Sequence, residues 1–238
     1  MTAPLRGTTA VVTGASRGIG EAIARALAAA GARVALLARD RSRLDAVASD
    51  LAGAVPIACD LANATDAERG LKRVRASLGV PHIVVNNAGA FALGAIGALP
   101  LGEMEQMLDV NLRAPYRVLH GFLPAMRELG RGHLVTVGSV ADRAAVPENA
   151  VYAATKFGVR AMHEVLLAEI RGTGLRASLV SPSAVDTELW DAIAPETRPG
   201  FPRRDRMLRA EDVADAVLWA VTRPAHVNVE EIRVGSAQ

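Results

Sequence analysis

The chain has 238 residues, half of them apolar, and its 27 basic and 25 acidic side chains leave a net charge of +2. That apolar fraction with so little net charge excludes a disordered chain, and the length suits one α/β domain, residues 1–238, rather than two. Arg and Asp/Glu are interspersed with no basic run for nucleic acid, and no apolar stretch approaches the ~18 residues of a membrane span. The single Cys59 permits no internal disulfide, the five scattered histidines have no metal-ligand spacing, and a soluble cytoplasmic protein without a metal is expected.

The first β-branched run, 8–13, reads as a strand and leads through Thr13-Gly14-Ala15-Ser16-Arg17-Gly18-Ile19-Gly20 into a helix over 18–30. Glycines there let the backbone turn sharply and approach a pyrophosphate, while the helix N-terminus offers free N–H groups and positive partial charge. Gly31 sits where a left-handed helix stop is expected. A second strand, 32–38, is followed by a helix over 41–51. A third, 54–58, precedes Cys59, read as a small buried apolar residue, and then a helix over 66–78. The fourth strand, 82–86, runs into Asn86-Asn87-Ala88-Gly89. A long helical stretch over 102–129 carries Pro115 and Pro124, which predict a kink or an early end, and Tyr116 in it is assigned to the core.

The fifth strand, 132–138, stops at Ser139, and a helix over 151–171 holds Tyr152, Lys156 and His163. His163 is expected to pack or to meet a neighbouring subunit. A sixth strand, 175–180, leads into 183–209, a Pro- and Arg-rich stretch with no clear element, which predicts a functional lid with Arg203, Arg204 and Arg206 in solvent. A helix over 211–222, with Trp219 assigned to its core face, and a strand over 231–234 complete the chain. The strands are continuously apolar rather than alternating, as strands covered on both faces should be. Strand–helix alternation with right-handed crossovers therefore predicts a Rossmann-like, doubly wound, mostly parallel seven-stranded sheet with helices on both faces.

These motifs, in this order along the chain, resemble the short-chain dehydrogenase/reductase family from Thr9 to about Val234. Its cofactor loop is T-G-x-x-x-G-x-G, its sheet element is N-N-A-G, and its catalytic set is Asn-Ser-Tyr-Lys, here Asn111, Ser139, Tyr152 and Lys156. The resemblance implies a cofactor site built from Gly14, Ser16, Arg17, Gly18, Ile19 and Gly20 of the loop, with Arg39 after the second strand. Asp60 and Leu61 would meet the adenine ring, and Asn87, Ala88 and Gly89 would line the cleft. Pro182, Val185 and Thr187 match the stretch that meets the nicotinamide amide, with Ser183 departing from the family's glycine. Lys156 would also bind the nicotinamide ribose, and Asn111 would anchor a water in a proton relay to it.

The chemistry needs these residue types. A carbonyl that accepts hydride becomes an alkoxide and requires a proton, yet a free phenol has a pKa of ~10 and is poorly matched to neutral pH. Tyr152 and Lys156 stand four apart on one helix face, so the Lys156 ammonium, together with an oxidised nicotinamide ring, is expected to lower the phenol pKa. Ser139 would hold the substrate oxygen, making Ser139 and Tyr152 the substrate-binding pair. Ala38 occupies the place of the acidic residue that binds the ribose of NAD, and Arg39 and Arg17 flank it. NADP(H) is therefore expected over NAD(H), although NAD(H) remains an admissible cofactor.

The partner is read as a small carbonyl or alcohol in a largely apolar pocket. Two alternatives stay open: an epimerase or dehydratase using the same cofactor, and a non-catalytic nucleotide-binding regulator. A homo-oligomer, tetramer or dimer, is expected because Met104, Met107, Leu108 and Val118, with Val159, Met162, Leu166 and Leu167, spread over more than one helix face.

Overall fold

The computed structural model describes residues 3–198 and 200–237; Pro199, within the predicted lid, lies outside them, as do Met1, Thr2 and Gln238. Seven strands form one sheet: β1 (Thr9–Thr13), β2 (Arg33–Ala38), β3 (Val55–Ala58), β4 (Ile83–Asn86), β5 (Gly132–Val137), β6 (Leu175–Pro182) and β7 (Glu231–Val234). Their order is β3-β2-β1-β4-β5-β6-β7 and every pair is parallel. The order reverses between β1 and β4, so the strand ends diverge there and open a crevice at their C-terminal edge.

Seven α-helices cover the two faces: α1 (Gly18–Ala29), α2 (Arg41–Ser49), α3 (Ala64–Leu78), α4 (Leu101–Leu108), α5 (Ala114–Leu129), α6 (Ala150–Glu169) and α7 (Ala210–Val221). Alternate strand residues feed two cores. Val12, Val34 and Leu36 pack with Ile23 and Leu27 of α1 and Val217 of α7. Val11, Ala35 and Leu37 face the other way, onto Phe122 and Met126 of α5 and Leu166 of α6. Each such buried Leu, Ile or Phe contributes ~1.5–3 kcal/mol by leaving water. Gly31 does adopt positive φ (+101°) and turns the chain out of α1 into β2.

Several expectations are corrected. The helix predicted over 102–129 is interrupted, as its prolines suggested, by a wider π turn, Asp109–Arg113, and Pro115, which has no N–H to offer that turn, follows just after it. The helix begins at Ala64 rather than 66 because the Asn63 side chain accepts from the Asp66 N–H. Tyr116 and Trp219 are not core residues: they are 62% and 49% exposed, and Arg223 stacks on the Trp219 ring at 4.8 Å. Of the eight apolar residues spread around these helices, Met107, Val118, Val159 and Leu166 form the faces buried within this chain. The segment 183–209 is not devoid of structure. It carries three short 3₁₀ turns, Glu188–Trp190, Pro195–Thr197 and Arg204–Arg206, and is pinned by a bridge from Val185 to Leu208. No helix among the described residues is long and apolar enough to cross a membrane.

Candidate active site

The crevice at the β1/β4 reversal widens into a cleft of about 1300 Å³. Its first wall is the loop from β1 to α1. The Thr13 hydroxyl donates to the Val85 carbonyl at 3.2 Å and accepts from the N–H groups of Asn87 and Ala88 at 2.9 and 3.0 Å. The Asn87 amide donates to the Thr13 carbonyl at 2.9 Å. The N-N-A-G element is thus bolted to the glycine loop, which explains why both occur together. Gly14 and Gly18 take positive φ, and a Cβ on Gly20 would lie 2.2 Å from the Gly14 carbonyl oxygen. The loop therefore tolerates glycine alone at that point and leaves its backbone free to approach a ligand.

Gly14, Ser16, Arg17, Gly18, Ile19 and Gly20 all line the cleft, as do Asn87, Ala88 and Gly89. At one end it is bounded by Arg39 beyond β2 and by Asp60 and Leu61 beyond β3. Arg39 is exposed and has no partner among the described residues. Arg43, in the first turn of α2, lies at the same end and was not anticipated. Arg17 and Arg43 both donate to one carboxylate, Glu188, at 2.7 Å and at 2.9–3.0 Å. These two guanidiniums hold the Glu188 carboxyl below the ordinary glutamate range, so it is ionised.

The opposite end is more enclosed, with Lys156 buried and Ser139 and Tyr152 partly so. Tyr152 and Lys156 project from one face of α6, with the Lys156 ammonium 5.6 Å from the Tyr152 ring centroid and donating to the Val137 carbonyl at 3.0 Å. Ser139, one turn of chain beyond β5, accepts from the Ala141 N–H at 3.1 Å. Burial pushes the Tyr152 phenol up to about 12, against a lowering hydrogen bond from Ser139, with the Asp142 charge raising it further. Burial also pulls the Lys156 ammonium down to about 8, with Asp142 opposing. Desolvation of the phenolate is thus the largest influence on Tyr152, and the Lys156 ammonium beside it is committed to Val137.

Asp142 is a buried charge that sequence reading passed over. It is 0% exposed, accepts from the Ser181 hydroxyl at 2.5 Å and from Arg143 at 2.6 Å, and Arg143 continues to Glu231 of β7. Its offset of three from Ser139 was the available signal. Asn111 is brought to the region but not into the cleft. It sits in the π turn, where its side chain accepts from the Ala90 N–H and donates to the Ala90 carbonyl and the Thr155 hydroxyl. With its amide fully used, Asn111 holds the chain after β4 against α6.

Pro182, Val185 and Thr187 line the remaining wall. Ser183 donates its N–H to Val234 at 2.8 Å and has negative φ, so no glycine is required there. Above Tyr152 an edge-to-face aromatic series runs from Tyr152 to Phe91 (4.8 Å), Trp190 (5.3 Å) and Phe201 (6.3 Å). Arg204 is tied to Asp186, Asp191 and Glu196, while Arg203 pairs only with Asp205 at the surface. His163 packs, its Nε2 meeting the Glu230 carbonyl at 3.0 Å. Cys59 is buried and its thiol is pushed up to about 11 by desolvation. Among the described residues no three His, Cys, Asp or Glu side chains are grouped to hold a metal ion. A long cleft with a glycine cradle, a helix N-terminus and a cationic end fits a phosphorylated dinucleotide.

Comparison with known proteins agrees with this geometry. The short chain dehydrogenase family model matches residues 8–198. An uncharacterised oxidoreductase of Staphylococcus aureus is 35% identical over 227 residues, 94% of this chain and 95% of that protein. A metagenomic short-chain oxidoreductase solved in complex with NADP is 33% identical with a TM-score of 0.85, covering 99% of both chains. An alcohol dehydrogenase from the archaeon Thermococcus sibiricus, solved with 5-hydroxy-NADP, is 33% identical with a TM-score of 0.86 and 97% coverage of both.

Proposed function

The chain belongs to the short-chain dehydrogenase/reductase family, and on that premise we propose that this oxidoreductase interconverts a carbonyl and an alcohol with NADP(H), using Tyr152 as the acid and base. The observation that carries the reading is the convergence of Ser139, Tyr152 and Lys156 at the enclosed end of a cleft whose other end is cationic. When bound, the reduced nicotinamide supplies hydride to the carbonyl carbon, and its oxidised form takes hydride back in reverse. As that carbon is reduced, its oxygen becomes an alkoxide, held by the Ser139 hydroxyl and by Tyr152. The O–H bond of Tyr152 breaks toward this oxygen, leaving alcohol and phenolate. The Tyr152 phenol, pushed upward by burial, is protonated at neutral pH and so holds the proton that reduction requires.

The Lys156 ammonium, the nearest cation to the ring, stabilises the phenolate as it forms. Asn111 acts at one remove by fixing α6 to the chain after β4. The loop cradle of Gly14, Gly18 and Gly20 would take the pyrophosphate, and Arg17, Arg39 and Arg43 a 2′-phosphate through charge-assisted hydrogen bonds that solvent exposure keeps modest. Phe91, Trp190 and Phe201 give the substrate a hydrophobic wall, matched to a medium-sized apolar ketone or aldehyde. The exposed Tyr116, Phe157 and Val165 support a homo-oligomer, and the free buried thiol of Cys59 is compatible with a cytoplasmic site of action.

The test is a panel of carbonyl compounds with NADPH, followed by loss of nicotinamide absorbance and by analysis of the product. Net formation of alcohol is expected. Absence of NADPH consumption across aliphatic and aromatic ketones and aldehydes would overturn the reading. Light scattering that returned a monomer at working concentration would remove the oligomer.

A further inference from the structure

At the cationic end of the cleft one side chain does what a cofactor phosphate would do. Glu188 opens the first 3₁₀ turn of the 183–209 segment, immediately after Thr187, and reaches across the cleft to Arg17 of the glycine loop and Arg43 of α2. Both its oxygens are engaged, and it bridges residues 171 and 145 positions away in sequence. A single anion thus ties the segment that follows β6 to two of the three guanidiniums at the ribose end. Arg39 at the same end carries no competing partner.

We propose that Glu188 is a built-in stand-in for the 2′-phosphate of the cofactor, a latch that a 2′-phosphorylated nucleotide displaces and a non-phosphorylated one leaves shut. The inference rests on the assignment of the Arg17–Arg43 corner as the ribose-phosphate end of the cofactor site. A dianionic phosphate offers more charge and three acceptor oxygens, so it outcompetes one carboxylate for the same two forks. Once it binds, the carboxylate is left beside a like charge and moves away. The pairs that must break are about half exposed, which keeps their strength modest and the exchange reversible.

The turn that Glu188 anchors also carries Trp190, whose ring packs edge-on against Phe91, and Phe91 in turn packs against Tyr152. Thr187 lies against the glycine loop, its Cγ2 3.1 Å from where a Cβ of Gly18 would stand. Release of Glu188 therefore frees the turn that forms part of the aromatic wall over Tyr152. The 2′-phosphate is sensed at one end of the cleft and read out at the other, and Glu188 and Arg43 become determinants of cofactor specificity.

Trp190 is a native reporter, and a Trp219→Phe background leaves it the sole tryptophan. The probes are adenosine 2′,5′-bisphosphate and 5′-AMP, followed by Trp190 emission, acrylamide quenching and calorimetric affinity, with no turnover required. In the background protein, 2′,5′-bisphosphate is expected to change the emission and raise the quenching, and 5′-AMP to change neither. Glu188→Gln is expected to show the released emission without ligand and to bind 2′,5′-bisphosphate about tenfold more tightly, with 5′-AMP affinity unchanged. Equal affinity and an unchanged spectrum in Glu188→Gln, with the 2′-phosphate still preferred, would overturn the latch alone. The same response to 5′-AMP would also overturn it. If neither protein prefers 2′,5′-bisphosphate over 5′-AMP, the phosphate end is wrongly assigned and the latch falls with it.

Discussion

The two ends of the cleft handle charge in opposite ways. At the catalytic end Lys156 and Asp142 are withdrawn from water, their polar atoms spent on Val137, Ser181 and Arg143, and Tyr152 beside them is partly buried. At the ribose end Arg17, Arg43 and Glu188 are half in solvent, and Arg39 is exposed too. Burial makes each charge expensive at the first end, and the proton affinities move accordingly, the phenol upward and the ammonium downward. Screening makes charges cheap at the second end, where an exposed pair is worth ~0–1 kcal/mol and can be traded for another. Proton chemistry is therefore placed at the more enclosed end of the cleft, and recognition where partners can be exchanged.

The largest effect should come from the enclosed end. Tyr152→Phe keeps the ring and its contact with Phe91 but removes the transferable proton, so kcat is expected to fall by ~10²–10⁴-fold while nucleotide affinity stays within about twofold. Half of the wild-type rate in steady-state assays would break the comparison outright. Lys156→Ala should reduce both rate and affinity.

Between the two ends lies the glycine loop, and Gly20→Ala tests whether both depend on it. A methyl group 2.2 Å from the Gly14 oxygen forces the backbone apart, at a cost of ~1–3 kcal/mol in stability and a clear loss of dinucleotide affinity. Thermal unfolding and calorimetric titration together check it; unchanged affinity would show that the cradle is not used.

Asp142→Asn sharpens the account of the enclosed end through pH. Reduction needs the phenol protonated, so its rate falls as pH rises through the Tyr152 pKa, which Asp142 helps to raise. Removing that charge should move the alkaline limb of kcat to lower pH. Ser181→Ala, which keeps the carboxylate but takes away its hydroxyl donor, should leave the Asp142 charge in place and displace the limb less. Equal displacement by the two variants would make Asp142 a structural residue only.

Arg43→Ala probes the exposed end and should give the smallest change, a reduction of up to about tenfold in the ratio of kcat/KM for NADPH over NADH. A ratio unaffected by Arg43→Ala and by Arg39→Ala would remove these side chains from cofactor choice.

The sheet was legible because both its faces are covered. Val11, Val12, Leu36 and Leu37 leave no doubt about a strand, and each strand falls within about two residues of its expected span. The glycine loop and the Tyr152–Lys156 pair were legible for a related reason: their spacing is local, within one loop or one helical turn. What escaped was long-range or depended on the environment. Glu188 lies 145 residues from Arg43, and nothing in either neighbourhood announces the other. Tyr116 and Trp219 fall at helical positions that resemble core ones, but α5 and α7 are turned so that Phe122 and Val217 take the interior. Asn111 was placed correctly in the sequence, but the π turn draws its amide away from the cleft. The burial cost of a phenolate escaped because the spacing of Tyr152 and Lys156 reports their proximity and not their surroundings.

The strand order carries a consequence for how this chain is made. β1 lies between β2 and β4, with Val11 opposite Ala35 on one side and Val84 on the other. During synthesis β2 follows β1 soon, but β4 is translated some seventy residues later, roughly 4–14 s at ribosomal speed. Throughout that interval the β4 side of β1, all Ala and Val, is an open sheet edge of the kind that pairs with other chains. That edge stays without its native partner until β4 and Asn87, which clamps Thr13, have been made, and the cleft cannot exist before then.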